Sequence, residues 1–109
     1  NFVPAGKTEF GYKTAFGTLL SSIKSPDEDV VCSIRPEAVI VCSSPASENG
    51  FSGVCVETVY LGEIAQHKVK VHGDLILRVT EVNPSHLEKV GDTMHLKVDP
   101  KDVVPLPCY

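Results

Sequence analysis

The chain has 109 residues, of which 42% are hydrophobic and 22% charged, and its formal net charge is −4. This length and composition predict one globular, water-soluble domain with a single core, which needs neither a disulfide nor a metal to fold. They exclude a membrane-spanning helix, because no run approaches the ~20 apolar residues that cross a bilayer, and they disfavour nucleic acid as a partner, because the chain is acidic, lacks Trp and has no cluster of basic and aromatic side chains.

The first eight residues contain the end of a phosphate-binding motif without the rest of it. Ala5-Gly6-Lys7-Thr8 has the required ending, but Asn1 stands where the opening glycine belongs, and Pro4 removes a backbone amide that would face phosphate. We therefore expect a surface turn here and no nucleotide site. Because the first residue is Asn1 and not Met, we also expect a piece of a longer protein.

The rest of the chain alternates apolar and polar residues over short runs that are broken by Gly, Pro and Asp. This period of two is typical of half-buried strands, and helical periodicity is nearly absent. The pattern predicts seven strands in a small barrel or sandwich. The predicted strands cover residues 14–23, 30–34, 38–42, 51–61, 64–71, 74–82 and 93–98.

The predicted strand at 64–71 has one apolar face. His67 and Val69 share a parity, and Lys68 and Lys70 share the other. A tight reversal at 72–74 leads into a strand with the same alternation, so the two strands are predicted to form a hairpin.

Two segments with a proline are predicted to be corners between strands. Residues 34–40 and 98–104 both have a strand, then a residue followed by proline, then a β-branched strand. Proline can open a single helical turn, and it holds the residue before it in extended conformation. Whether the likeness is an internal duplication or a recurrent corner stays open.

Cysteine and histidine do not form a recognisable chemical motif. The four cysteines include no Cys-x-x-Cys pair, so we expect reduced thiols and no zinc or redox site, with a disulfide left open. His67 and His72 have opposite parity on one strand and cannot share a metal. We expect no catalytic residue, no metal and no cofactor in this chain.

Three motifs resemble a known family. They are Ile34-Arg35-Pro36-Glu37, Val59-Tyr60-Leu61-Gly62-Glu63, and Val90-Gly91-Asp92 before a strand that ends in Asp99-Pro100. In this order, over about residues 32 to 107, they resemble the transport-associated OB (TOBE) domain, which follows the ATPase domain in ATP-binding subunits of bacterial and archaeal ABC importers. Asn1-Phe2-Val3-Pro4 is similar to the segment that leaves the ATPase domain in such subunits.

The resemblance implies an all-β, OB-fold-like small β-barrel, with residues 1–109 forming one domain at the C-terminal end of a longer ATPase subunit. It implies an accessory and regulatory role, a homodimer, contacts with the upstream ATPase domain and the permease subunits, and a place on the cytoplasmic face of the membrane. ATP and Mg²⁺ would be held by the upstream domain, and this fragment would not be an enzyme. The stretch 61–66 is most similar to the polyamine and iron importers.

The resemblance also indicates candidate structural or regulatory contacts. Arg35 and Glu37 flank a fixed corner, where they are expected to bond each other or to cap backbone groups in preference to contacting a ligand. Gly62 is expected to allow a left-handed turn. The candidate contacts are Arg35, Glu37, Tyr60, Leu61, Gly62 and Glu63.

Two alternatives accompany this interpretation. In the first alternative, the chain is a stand-alone module that binds a small oxyanion. Barrels of this type in molybdate-binding proteins hold an anion through backbone amides and small polar side chains. In the second it is an interaction domain that does no more than dimerise, with an apolar barrel face exposed in the isolated chain.

Overall fold

A computed structural model describes residues 1–84 and 86–108, and these form an all-β, OB-like small barrel. The predicted fold class is therefore confirmed. None of the helices in these residues is long and apolar enough to span a membrane. The strands are β1 (Phe2–Thr8), β2 (Gly11–Thr14), β3 (Gly17–Leu19), β4 (Asp29–Ser33), β5 (Val39–Cys42), β6 (Gly50–Leu61), β7 (Ile64–His72), β8 (Leu75–Val82), β9 (Thr93–Val98) and β10 (Val104–Pro107).

The strands form two antiparallel sheets of five strands each. The chain-end sheet has the order β10-β4-β1-β2-β3, and the central sheet has the order β5-β9-β6-β7-β8. The sheets curl into a half-barrel. Buried side chains from both sheets meet in one hydrophobic cluster, including Val3 and Val30 of the chain-end sheet and Leu77 and Leu96 of the central sheet.

The prediction of seven strands is wrong at the ends of the chain, where the described residues contain three more. The predicted strand at 14–23 is replaced by β2 and β3, and the expected surface turn at 5–8 is part of β1. The cause is a repeated Thr-x-Phe-Gly hairpin. In each copy, at Thr8 and at Thr14, the threonine Oγ1 donates to the glycine carbonyl (2.9 and 2.7 Å) and accepts the phenylalanine N–H (3.3 and 3.1 Å), which closes a two-residue loop.

The other missed strand, β10, contains Pro105 and Pro107 and lies at the edge of the chain-end sheet beside β4. Proline cannot donate to a sheet ladder, so an edge is the position where it is tolerated. The sequence pattern does not predict this strand, because two of its four residues are proline.

The remaining predicted strands are confirmed with shifts of one residue at some ends. In β7, His67 and Val69 are buried while Lys68 and Lys70 are exposed, as the alternation predicts. His72 pairs with Leu75 across the predicted reversal.

Both predicted corners are confirmed as single 3₁₀ turns, at Pro36–Ala38 and Pro100–Asp102. Arg35 and Asp99 precede them in extended conformation, with ψ of 144° and 137°. The first corner takes the chain from β4 of the chain-end sheet to β5 of the central sheet, and the second takes it back from β9 to β10. The corners are thus the places where the chain crosses between the sheets.

Two asparagine side chains also join the sheets, and we call each an amide clasp. The Asn1 side chain donates to the Arg78 carbonyl (2.8 Å) and accepts from the Arg78 amide (2.7 Å). The Asn49 side chain accepts from the Leu20 amide (2.7 Å) and donates to the Leu20 carbonyl (2.9 Å). In each clasp the side-chain amide accepts a hydrogen bond from a backbone N–H and donates one to the C=O of the same residue, so the donor and the acceptor of that residue are both paired.

Candidate functional site

The sequence motifs direct attention to the three-stranded part of the central sheet, β6 to β8. Its outer face consists of rows in which one residue from each strand lies beside the next. The middle row is charged, and the Lys68 Nζ lies 2.9 Å from the Glu57 carboxylate. At the end of the hairpin the row is apolar, with Leu61 57%, Ile64 38% and Val82 63% exposed. We call this last row the tip row.

Two residues turn the chain between β6 and β7, and Gly62 is the first of them. Leu61 and Ile64 pair on either side, and Gly62 has φ of +73°. A two-residue hairpin loop with a left-handed first position strongly favours glycine. The expected left-handed turn is therefore confirmed, and its role is to place Leu61 and Ile64 side by side.

Tyr60 points to the opposite side of the sheet from Leu61. A β-bulge between Cys55 and Glu57 inserts Val56 and reverses the parity of the residues that follow. Tyr60 consequently lies edge-on to His67, with ring centroids 6.2 Å apart, and its hydroxyl donates to the Glu88 carbonyl at 2.9 Å. Sequence reasoning did not detect the bulge, because Val56 fits the alternation of a strand as well as any neighbour.

The six candidate contact residues fall into two separate places. Tyr60, Gly62 and Glu63 line one groove at the hairpin end, together with Asn83, Pro84 and Leu87.

Arg35 lies instead in a groove between the two corners, with Lys101 and Asp102, and Glu37 is exposed on the first corner. Among the described residues, the Arg35 guanidinium makes no ion pair with Glu37 and no hydrogen bond at its own corner. The Arg35 carbonyl accepts the Ala38 N–H (2.9 Å), so the backbone of Arg35 closes the turn.

A buried polar cluster escaped the sequence analysis. His67 has a fully buried side chain, and its Nε2 lies 3.1 Å from the Glu81 carboxylate while its Nδ1 lies 2.8 Å from Thr58 Oγ1. Because a carboxylate only accepts, Nε2 donates to Glu81, and in the neutral imidazole Nδ1 then accepts from Thr58. A histidine at an alternating apolar position gives no sequence signal for such a partner 14 residues away.

Two of the four free cysteines are buried, one in each sheet. Burial raises the pKa of the Cys32 thiol to about 11. Burial is also the main reason that the pKa of Cys55 is raised. A hydrogen bond with the Glu57 backbone lowers this pKa, and the charges of Glu88 and Asp92 raise it further. Neither thiol is therefore suited to act as a nucleophile at neutral pH.

The outer face of β6 to β8 combines charged and apolar side chains. The outer face carries one ion pair and an apolar tip row, and the groove beside it, of about 370 Å³, contains both polar and aliphatic side chains. Its members come from three strands and the first corner.

The family comparison covers this same region. A family model described as "TOBE domain" matches residues 32–106, which is more than half of the chain. The match begins inside β4 and includes both corners and the whole central sheet. A search of curated proteins finds no match.

Proposed function

Because the chain belongs to the TOBE domain family, we propose that it is the C-terminal accessory domain of the ATP-binding subunit of an ABC importer, where it supports subunit dimerisation and regulates ATP-driven solute uptake. TOBE domains occur in transport-associated proteins, often ABC transporters. The observation that carries the proposal is the match over residues 32–106, which includes the corner at Arg35 and the hairpin at Gly62.

In this proposal ATP and Mg²⁺ are held by a domain upstream of Asn1, and the chain itself performs no catalysis. The segment before β1 would lead to that domain. Asn1 is fixed at this point by its clasp on Arg78 and by backbone bonds to Ile34. Movement of the upstream domain would therefore act directly on β8 and on the start of the first corner. The subunit would lie on the cytoplasmic face of the membrane, under the permease.

We propose the tip row as the surface that meets the second copy. Leu61, Ile64 and Val82 are adjacent on three neighbouring strands, and exposed apolar rows of this kind are typical of protein interfaces. The Gly62 turn holds the backbones of Leu61 and Ile64 in register, and pairing with Ile64 holds that of Val82, so little backbone entropy would be lost on binding.

The parent protein is tested by its native mass in the source cells, detected with an antibody against this chain. A band well above the mass of 109 residues that co-purifies with membranes supports the proposal. A free species of the mass of this chain in the soluble fraction contradicts it.

The dimer surface is tested by sedimentation equilibrium on the native subunit and its variants. Leu61→Asp is expected to weaken the dimer by at least about tenfold, because it buries an unpaired charge. Ile40→Asp is the matched control, since Ile40 is similarly exposed (46%) but lies on β5 at the far edge of the same sheet. Equal dissociation constants for the two variants would show that the dimer uses another surface.

A second candidate function, binding of a small oxyanion, is favoured by the groove between the corners. Arg35 and Lys101 both line it, although Asp102 is beside them. Calorimetric titration with molybdate, tungstate and sulfate tests this function. Micromolar binding that Arg35→Gln abolishes supports it, and the absence of heat contradicts it.

A further inference from the structure

The end of the barrel nearest the loop 83–92 contains a pocket that the proposed function does not use. The pocket has a volume of about 510 Å³, and we call it the mouth pocket. It lies between the ends of β5 and β8, the start of β9 and residues 86–92. Its lining residues are Val41, Cys42, Ser43, Glu81, His86, Glu88, Asp92, Thr93, Met94 and His95.

Three side chains of the loop converge at this pocket. His86, Glu88 and Asp92 each present one ligand atom, and these atoms lie within 4.8 Å of one another. In a tetrahedral site with bonds of about 2.1 Å, ligand atoms are about 3.4 Å apart. The three ligand atoms must therefore move closer together by about 1 Å to hold an ion, and His86, which is exposed, has room to move.

Glu88 supplies an independent indication that this cluster awaits a ligand. It is only 9% exposed and lines the mouth pocket. Among the described residues its carboxylate has no ion-pair partner, since the two ion pairs found there involve Glu81 and Glu57. A charged group that is nine-tenths buried ordinarily is paired or coordinates a metal. Glu88 therefore presents a carboxylate that has no protein partner among the described residues to a ligand in the mouth pocket.

The charge of the pocket agrees with a dication. Three carboxylates, those of Glu81, Glu88 and Asp92, line it, and its lining includes neither lysine nor arginine. Glu81 already accepts a hydrogen bond from His67. The charges of Glu88 and Asp92 remain for an ion, and two carboxylates neutralise one divalent cation.

Backbone hydrogen bonds hold the loop at residues 88–92, so Glu88 and Asp92 are kept near their positions. The Tyr60 hydroxyl donates to the Glu88 carbonyl (2.9 Å), and the Asp92 carboxylate accepts the Lys89 N–H (2.9 Å). Cys55 of β6 exchanges backbone bonds with the loop, donating to Asp92 O (2.9 Å) and accepting from Gly91 N (2.7 Å). Such preorganisation lowers the entropic cost of binding.

We propose that the mouth pocket binds one first-row divalent transition ion of the zinc type, with His86, Glu88 and Asp92 as its protein ligands and water in the fourth position. Imidazole nitrogen favours zinc and its neighbours over Mg²⁺ and Ca²⁺, which prefer oxygen donors alone. The ion would fasten the loop to the barrel end, next to the hairpin groove.

The test is isothermal titration of the chelator-treated chain with Zn²⁺, with Mg²⁺ and Ca²⁺ as competitors. We expect one ion per chain, a dissociation constant near or below about 1 µM and no displacement by a large excess of Mg²⁺. Co²⁺ in place of Zn²⁺ is expected to give the visible absorption bands of a tetrahedral site.

The variants His86→Ala, Glu88→Gln and Asp92→Asn are each expected to weaken Zn²⁺ binding by at least tenfold. Glu88→Gln keeps the shape of the side chain, and its circular dichroism spectrum verifies that the variant folds. His72→Ala is the matched control, because His72 is an exposed histidine at the far end of β7 and does not line the pocket. The proposal is overturned if no saturable binding occurs, if Mg²⁺ or Ca²⁺ binds as tightly as Zn²⁺, or if His72→Ala reduces binding as much as His86→Ala does.

Discussion

The central sheet and the chain-end sheet have the same number of strands but are assembled differently. In the central sheet β6, β7 and β8 have 12, 9 and 8 residues and follow one another as hairpins. In the chain-end sheet β4 lies between β1 and β10, which come from opposite ends of the chain. Contacts that are local in sequence form at a low entropic cost, and long-range closure costs more. We therefore expect the chain-end sheet, although β1 to β3 are also joined by hairpins, to depend on the shared core, to which the central sheet contributes more buried side chains.

The largest expected effect tests whether that shared core makes the two sheets one unit. Leu96 is fully buried in the central sheet, and Leu96→Ala should reduce the free energy of unfolding by about 2–5 kcal/mol through lost burial and a cavity. Val3→Ala, in the chain-end sheet, should cost about 2 kcal/mol. Urea unfolding followed by fluorescence and by circular dichroism measures both changes.

If the two sheets share one core, both variants should unfold in a single transition, and the curves from fluorescence and from circular dichroism should coincide. Phe10→Ala is the control, because Phe10 is 76% exposed, lies outside the tip row, and its truncation should leave the midpoint almost unchanged. If Val3→Ala instead produced an early separate transition, the chain-end sheet would unfold on its own and the two sheets would be independent.

A second prediction compares the two amide clasps that join the sheets. Asn49 is 7% exposed and has φ of +50°, so Asn49→Ala removes two hydrogen bonds, leaves the Leu20 backbone unpaired and strains the chain. The expected cost is about 2–4 kcal/mol. The bonds of Asn1 are exposed, and Asn1→Ala should cost about 0.5–1 kcal/mol.

Asn49→Gly separates the two contributions, because glycine accepts the left-handed backbone but cannot form the clasp. Thermal unfolding of the three variants checks the order. If Asn49→Gly were as stable as the natural chain, strain alone would account for the loss in Asn49→Ala, and the clasp would not hold the sheets together.

The same contrast explains what the sequence could predict. Strands such as β7 and β9 are identified by alternation alone, and the two corners by proline, because these signals are local. The division of residues 14–23 depends on the Thr14 side chain, which bonds across its own loop, and β10 is defined by pairing with β4, far away in sequence. The bulge at Val56 leaves no local mark, yet it decides that Tyr60 faces inward.

The candidate site was predicted in part for the same reason. The turn at Gly62 follows from a short motif, whereas the convergence of His86, Glu88 and Asp92 requires the loop to fold back on β6. His67 and Glu81 are partners because β7 and β8 pair, and a sequence does not reveal which charged residue will meet a buried histidine.

The buried thiol of the chain-end sheet gives a third, smaller effect that depends on pH. In the folded chain Cys32 remains protonated to about pH 11, while the unfolded chain releases the proton near the ordinary pKa of 9.0. The stability contributed by the neutral buried thiol is therefore complete below pH 9 and is lost progressively as the pH rises to about 11. The measurement is the difference in unfolding free energy between the natural chain and Cys32→Ala across this range.

We expect that difference to shrink as the pH rises, because Cys32→Ala has no thiol at this position to ionise. The Cys108→Ala variant is the control, since Cys108 is exposed and its removal should leave the pH dependence unchanged. A difference that is constant with pH would mean that the Cys32 thiolate is solvated in the native state and that the chain-end sheet is open to water.

The smallest effect is expected on the outer face of the central sheet. Glu57 and Lys68 form an ion pair at 2.9 Å, but their side chains are 51% and 45% exposed, so water screens the attraction. A double-mutant cycle with Glu57→Gln and Lys68→Met should give a coupling of less than about 0.5 kcal/mol that decreases further in high salt. The ladder of β6 and β7 and the core beneath it hold this face, so breaking the pair should leave the fold intact. A coupling above about 2 kcal/mol would instead mean that the pair is part of the structure, and the outer face would then be a poor candidate for a surface that binds and releases a partner.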